Sequence, residues 1–176
     1  MDDVLERETR KKIYDLIIKN PGLHLSKIAE MLKMRTSLAE YHLIYLENNN
    51  LIHSVKDEGG YYRRFYVKEG DIGTEDKKIF SLLRQETPLK IIAFLLRNPK
   101  FRHRDMLKEL HIASSTLSYH INKLVSKGII EVITYGEDKG YRIVNKKKII
   151  QLLLKYEFRT IVDDFKDVWD DLHYWK

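Results

Sequence analysis

The chain has 176 residues, 43% of them hydrophobic, with a net charge of +6 and no cysteine. This length accommodates one or two small domains, and the absence of thiols excludes a disulfide framework and thiolate metal sites and fits a reducing cytosol. The longest apolar run, Ile91 to Leu96, is far too short for a membrane span, and the acidic start Met1-Asp2-Asp3 carries no signal-like apolar run. A cytoplasmic address is therefore expected.

Along the chain, Ile13, Leu16 and Ile17, with Tyr14, mark one face of a first helix that stops at Asn20-Pro21-Gly22. A second helix is expected from Ser26, as N-cap, to Leu32, with Ile28, Ala29 and Leu32 inward. After the turn Lys33-Met34-Arg35, a third helix opens on the hydroxyl caps Thr36-Ser37 and runs to Glu47, ending at Asn48-Asn49-Asn50. The period then becomes strand-like. Leu51 to Lys56, a tip at Asp57-Glu58-Gly59-Gly60, and Tyr61 to Val67 read as a hairpin.

The same series then repeats. Thr87-Pro88, read as N-cap and first helical residue, leads through Ile91, Ile92, Phe94 and Leu95 to Asn98-Pro99. Met106, Leu107 and Leu110 mark the second helix, and His111-Ile112-Ala113 the turn. The third helix opens on Ser114-Ser115-Thr116, continues to Val125 and ends at Ser126-Lys127-Gly128. Ile129 to Tyr135 and Tyr141 to Val144, around Gly136 to Gly140, form the second hairpin. At an offset of 78, Asn20-Pro21 recurs as Asn98-Pro99, Tyr41-His42 as Tyr119-His120, Ile52 as Ile130 and Arg64 as Arg142. Glu8, Thr9, Lys12, Ile13, Leu32, Ser37 and Leu46 also find identical partners without a gap. That period exceeds solenoid repeats and matches one small domain. The chain is read as two copies of one domain, residues 1–70 and 71–145, followed by a C-terminal amphipathic segment, 146–176. The fold class is mainly α with small β-hairpins, an α+β arrangement of three helices and a hairpin in each copy.

The pattern Ser-x-x-x-Tyr-His-Leu-x-x-Leu-Glu before Leu-Ile resembles winged helix-turn-helix domains of the ArsR and MarR type, and the tandem arrangement resembles archaeal regulators with two such domains per chain. The likeness covers residues 8–67 and 86–145. It implies a transcriptional regulator that binds double-stranded DNA at an operator or promoter.

A recognition helix enters the major groove with a polar face at its N-terminal end. In the second copy Leu117, Ile121 and Leu124 lie at i, i+4 and i+7 and are expected to face the core. That leaves Ser114, Ser115, Thr116, Ser118, Tyr119, His120, Asn122 and Lys123 as candidate contacts. In the first copy Ala39, Leu43 and Leu46 take the core row, while Leu38, Glu40, Ile44 and Tyr45 face outward. Arg35, Thr36, Ser37, Tyr41 and Tyr45 are its candidates. The second copy, which carries 13 basic against 9 acidic groups, is expected to be the main sequence reader. Hydroxyls at a helix start also serve as simple caps, and each His beside its Tyr is equally a core histidine or a phosphate contact. On the hairpins, Arg63, Arg64, Lys139 and Arg142 are candidates for the backbone or minor groove.

Ile161, Phe165, Val168, Trp169, Leu172 and Trp175 continue an apolar stripe through the C-terminal segment and are expected to form a homodimer contact, while its early part packs within the chain. The scattered histidines suggest no metal site, no cofactor is expected, and no nucleotide-cradling glycine motif or nucleophile elbow points to an enzyme. The competing reading is a protein-interaction module of the transcription or replication machinery, using winged helices as scaffolds. It rests on the apolar, Glu-bearing third helix of the first copy and the acidic aromatic tail.

Overall fold

The computed structural model describes residues 8–57, 60–68, 72–98, 101–135, 138–156 and 158. The chain divides into two compact units, Met1–Ser81 and Leu82–Lys176. The expected dimerisation residues Ile161, Phe165, Val168, Trp169, Leu172 and Trp175 lie outside the described residues.

In the first unit, α1 (Glu8–Lys19) buries Ile13, Tyr14 and Ile17 and holds an exposed Glu8–Lys12 ion pair at 2.6 Å. The chain reverses at Gly22, whose φ of +82° suits a residue without a Cβ. Its N–H donates to the Phe65 carbonyl at 2.9 Å, starting β1 (Leu23–His24). Next comes α2 (Leu25–Met31). Its N-cap is His24, not the expected Ser26, because the His24 Nδ1 accepts the Lys27 N–H at 3.3 Å. Helix α3 (Thr36–Asn48) buries Ala39, His42, Leu43 and Leu46. Strands β2 (Ile52–Lys56) and β3 (Arg63–Val67) complete an antiparallel sheet in the order β1-β3-β2. Ile13, Ile17, Ile28, Leu43, Leu46, Ile52 and Phe65 form the centre of the core. At about 1.5–3 kcal/mol for each fully buried large side chain, this cluster is the main stabilising term of a small unit.

The division between the units falls within α4 (Thr74–Leu83), an element not anticipated because it lies ahead of the matched span that begins at Glu86. The second unit continues with α5 (Glu86–Arg97), whose N-cap position is Gln85. Pro88 therefore lies inside the first turn and is buried, two steps deeper than the sequence suggests. Six consecutive side chains, Ile91 to Leu96, are buried, so this helix is enclosed rather than amphipathic. It packs on the recognition-helix equivalent α7 (Ser114–Ser126) and on the sheet β4-β6-β5. The sheet comprises β4 (Phe101–Arg102), β5 (Ile130–Tyr135) and β6 (Asp138–Ile143), and α6 (His103–Leu110) follows β4 directly. Finally, α8 (Lys146–Lys155) is capped by the Asn145 Oδ1 accepting the Lys148 N–H at 3.0 Å. It buries Ile149, Ile150, Leu152 and Leu153. Phe158 is also fully buried, with the Arg84 guanidinium 4.0 Å above its ring.

The strand register revises the repeat. Leu23 pairs with Phe65 and Phe101 with Tyr141; Val55 pairs with Arg64 and Ile133 with Gly140. The offset of 78 therefore holds through β2 and β5 and drops to 76 on the returning strand, since the second hairpin is two residues shorter. Arg64 and Arg142, identical in the gapless register, are not equivalent. Arg63 and Lys139 are, opposite Lys56 and Thr134. Arg64 is 4% exposed and its Nη1 donates to the Gly22 carbonyl at 2.9 Å, holding the turn that starts the sheet. Burial holds its guanidinium below the ordinary arginine range. Arg142 is exposed and bonds Glu131 at 2.6 Å.

Arg64→Ala should therefore destabilise the protein by about 1–3 kcal/mol, through a buried carbonyl left without its donor. Arg142→Ala should stay within about 0.5 kcal/mol of the parent. Urea unfolding checks both, and equal midpoints for the two variants would contradict the register-based distinction.

Candidate nucleic-acid interface

Both third helices place their hydroxyls in the same way. The N-cap positions are Arg35 and Ala113, and neither makes a side-chain cap. Thr36, Ser37, Ser114, Ser115 and Thr116 thus occupy the first turn proper and are exposed. They are not N-caps. First-turn N–H groups and hydroxyls together make a surface suited to phosphate oxygens.

On α7 the row Leu117, Ile121 and Leu124 is buried, as the spacing demands. Tyr119, 61% exposed, and Asn122 face solvent, while Ser118, His120 and Lys123 are half-buried at the edges of the outer face. The Tyr119 ring meets His120 edge-on at 5.0 Å, and the Lys123 ammonium lies 5.9 Å from the Tyr119 centroid. The face is therefore phenol, amide, ammonium and hydroxyl, with no carboxylate. Burial first, and then Lys123, holds His120 below its ordinary pKa. It enters neutral solution as a hydrogen-bonding group rather than a cation.

The first unit uses the same scaffold differently. Leu38, Tyr41 and Ile44 are exposed on the outer face of α3, beside an exposed Glu40. Arg35 is exposed and stands at the helix start. Tyr45 is half-buried beneath the Arg10 guanidinium, 3.5 Å from its ring centroid, so it packs against α1 instead of standing clear. His42 is buried, with the Tyr41 ring edge-on at 5.2 Å. On the wing, Arg63 is exposed but held: its Nε donates to Ser54 Oγ at 2.9 Å and its Nη2 to Glu47 at 2.7 Å. Arg64 stands apart from these groups, inside the sheet. In the second unit Lys139 and Arg142 are both exposed on β6.

Two cations escaped the sequence reading. Arg102, on β4, and the exposed Arg104, in the first turn of α6, are held by Asp105 at 3.1 and 4.0 Å. Their first-copy counterparts at the offset of 78 are His24 and Ser26, and that replacement of neutral by basic residues was the available signal.

The comparisons accord with this geometry. Residues 7–78 match a family model described as an N-terminal HTH domain, and residues 76–131 match one described as winged helix-turn-helix DNA-binding. The chain therefore carries two winged helix-turn-helix domains in tandem. An uncharacterised HTH-type transcriptional regulator of Methanocaldococcus jannaschii is 32% identical over 143 residues, which is 81% of this chain and 34% of that protein. The chain thus spans about a third of the length of this curated relative. Among solved structures, HlyU from Vibrio cholerae aligns with a TM-score of 0.41 at 22% identity, over 45% of this chain and 87% of HlyU. A Corynebacterium diphtheriae protein aligns at 0.29 and 14%, over 81% and 27%. Among the described residues no helix is long and apolar enough to cross a membrane, and no group of three His, Asp or Glu side chains gathers to hold a metal ion.

The histidines carry a pH prediction. Burial first, then Arg64 and Lys27, depresses His24; burial first, then Lys77, depresses His53; His120 is depressed as above. Each binds a proton more readily in the unfolded chain. Folded stability is therefore fully present above the ordinary histidine value near 6.5 and declines as pH falls below it toward the folded values. The urea midpoint should be lower at about pH 5.5 than at about pH 7.5, and joint His53→Gln and His120→Gln replacement should flatten that difference. A slope unchanged in the double variant would assign the pH dependence to other groups.

Proposed function

We propose that the protein is a sequence-specific, double-stranded DNA-binding transcriptional regulator whose second unit reads the major groove with α7. The observation that carries this reading is the composition of the α7 outer face. Every apolar side chain of its central row is turned into the core, and what remains outside is hydroxyl, phenol, amide and ammonium. Ser114, Ser115 and Thr116, with the helix N-terminus, suit phosphates. Tyr119, Asn122 and Lys123 suit base edges, with Ser118 and His120 beside them. Lys139 and Arg142 on the wing, with Arg102 and Arg104 before α6, would add salt-sensitive affinity. In the first unit, Arg35, Thr36, Ser37 and Tyr41 could add contacts at the helix start, and Arg63 on the wing. The name of the Methanocaldococcus relative supports the same reading. No enzymatic role is proposed.

Selection of bound sequences from random duplex DNA tests the proposal, with an enriched motif expected. On that motif, Asn122→Ala with Lys123→Ala should weaken binding tenfold or more, on the order of 1–3 kcal/mol per lost base contact. Tyr41→Ala with Ile44→Ala should cost less. The reverse order, at matched stability, would make the first unit the reader, and no enrichment at all would remove sequence-specific binding.

The regulator is further proposed to act as a homodimer, so that two-fold symmetry in the protein matches two half-sites. The support is sequence alone: Ile161, Phe165, Val168, Trp169, Leu172 and Trp175 fall at helical spacing after the last described residue. Removal of residues 159–176, which keeps the buried Phe158, should yield a folded monomer with sharply reduced DNA affinity. Sedimentation of the truncated chain decides it, and a truncation that stays dimeric would move the interface elsewhere.

A further inference from the structure

The concave side of the first unit, between α3 and the wing, encloses a groove of about 300 Å³, a size at the lower end of small-ligand pockets. Its floor is Leu43 and Phe65, both buried in the core, with Ile44 beside them. Tyr61 and Tyr62 stand at the mouth, and backbone geometry holds them there. The Asp57 Oδ1 accepts both of their N–H groups, at 3.1 and 3.3 Å, and the Asp57 N–H donates to the Tyr62 carbonyl at 2.9 Å.

The charge inside the groove is negative on balance. Two carboxylates, Glu40 and Glu47, line it with a single guanidinium, that of Arg63. Arg63 bonds Glu47 at 2.7 Å, and Glu40 makes no ion pair among the described residues. A duplex phosphate brought here meets an unneutralised carboxylate and tyrosine faces. An ammonium meets a carboxylate partner and the negative faces of aromatic rings, which attract cations. The corresponding positions of the second unit carry Arg102, Arg104, Ser118, Asn122, Val125 and Lys139, with Glu137 and Asp138 in place of the two tyrosines, so the pairing of helix carboxylates with wing aromatics is not a general consequence of the fold.

We propose that this groove is a binding site for a small organic cation, an amine carried on an apolar or aromatic body. Glu40 pairs with the ammonium, the tyrosines cover it, and Leu43, Ile44 and Phe65 take the apolar part. The site stands on the first unit alone and is independent of whether α7 reads DNA.

The test is a ligand-detected NMR titration of the full chain, without DNA, using phenethylammonium and its neutral analogue 2-phenylethanol. Because DNA is absent, failure here leaves the DNA-binding reading untouched, and failure of that reading leaves the titration interpretable. Phenethylammonium should bind at least about fivefold more tightly than the alcohol, in keeping with a cation–π contact reinforced by a carboxylate. Glu40→Gln should erase the preference, and Tyr61→Ala should weaken it. Both residues are exposed, so neither change should threaten the fold. Glu109→Gln, at an exposed carboxylate of the second unit, should leave the preference intact. Equal binding of the two probes, or a preference that survives Glu40→Gln, would overturn the proposal. So would a blocked decapeptide of alternating Phe and Lys that binds a hundredfold more tightly than phenethylammonium, since the groove would then be a peptide dock.

Discussion

The inward row of the third helix is the constraint on which everything else in each unit depends. Ala39, Leu43 and Leu46, and Leu117, Ile121 and Leu124, occupy i, i+4 and i+7, and all six are buried to within a few per cent. Truncating one of the larger members would cost about 2–5 kcal/mol, a large share of what a domain this small can hold. The rotation of the helix about its axis is consequently fixed. The residues between the rows face outward whatever their chemistry, and the outer face can change in evolution without disturbing the core. Two copies of one scaffold can thus present unrelated surfaces.

The outer faces use that freedom in opposite ways. At the offset of 78, Glu40 corresponds to Ser118, Ile44 to Asn122 and Glu47 to Val125, while the groove rim changes from His24 and Ser26 to Arg102 and Arg104. None of these exchanges touches a row residue. Each moves the second unit toward neutral or cationic polarity and leaves the first acidic and aromatic. The net charge of +6 is thus a poor guide to where nucleic acid would sit. What matters is that three arginines of the first unit are engaged. Arg64 is buried under the Gly22 turn, Arg10 covers Tyr45, and Arg63 is bonded to Glu47. A count of basic residues cannot register this, because pairing and burial cancel charge locally.

Much of the architecture was legible in the sequence because it depends on periodicity. The core rows, the helix ends at Asn20-Pro21-Gly22 and the first hairpin follow from spacing and turn chemistry, and the structure places them there. The second hairpin has a tighter tip than expected, because Asp138, Lys139 and Gly140, read as tip, already pair with Tyr135, Thr134 and Ile133 in β6. The errors were at positions where chemistry has more than one solution. Ser26, Thr87 and the hydroxyls of Thr36 and Ser114 have cap-forming side chains, yet the chain starts α2 on His24 and the other helices one or two residues earlier. Residue preference at a cap is worth about 1 kcal/mol, less than the packing that decides where a helix must begin. The two-residue strands β1 and β4 were missed because they are too short to show an alternation, and α4 because it lies ahead of the matched span that begins at Glu86. Candidate site residues fared according to exposure. Tyr119 and Asn122 are outward as the spacing implies, whereas the burial of Arg64 depends on a carbonyl 42 residues away in sequence.

That last case shows why a repeat cannot be read by identity alone. Arg64 and Arg142 are the same residue in a register that looks unbroken, and their environments are opposite. The shorter second hairpin shifts β6 by two residues, an even number, so the alternation of inward and outward faces is preserved and the strand still fits its sheet. The second unit has Gly140 where the first has its buried arginine. Glycine opposite Arg102 leaves no side chain at the position where Arg64 meets the Gly22 carbonyl. The structural arginine of one unit is thus replaced by glycine in the other, while the surface cation Arg142 stands at the position that Tyr66 occupies in the first.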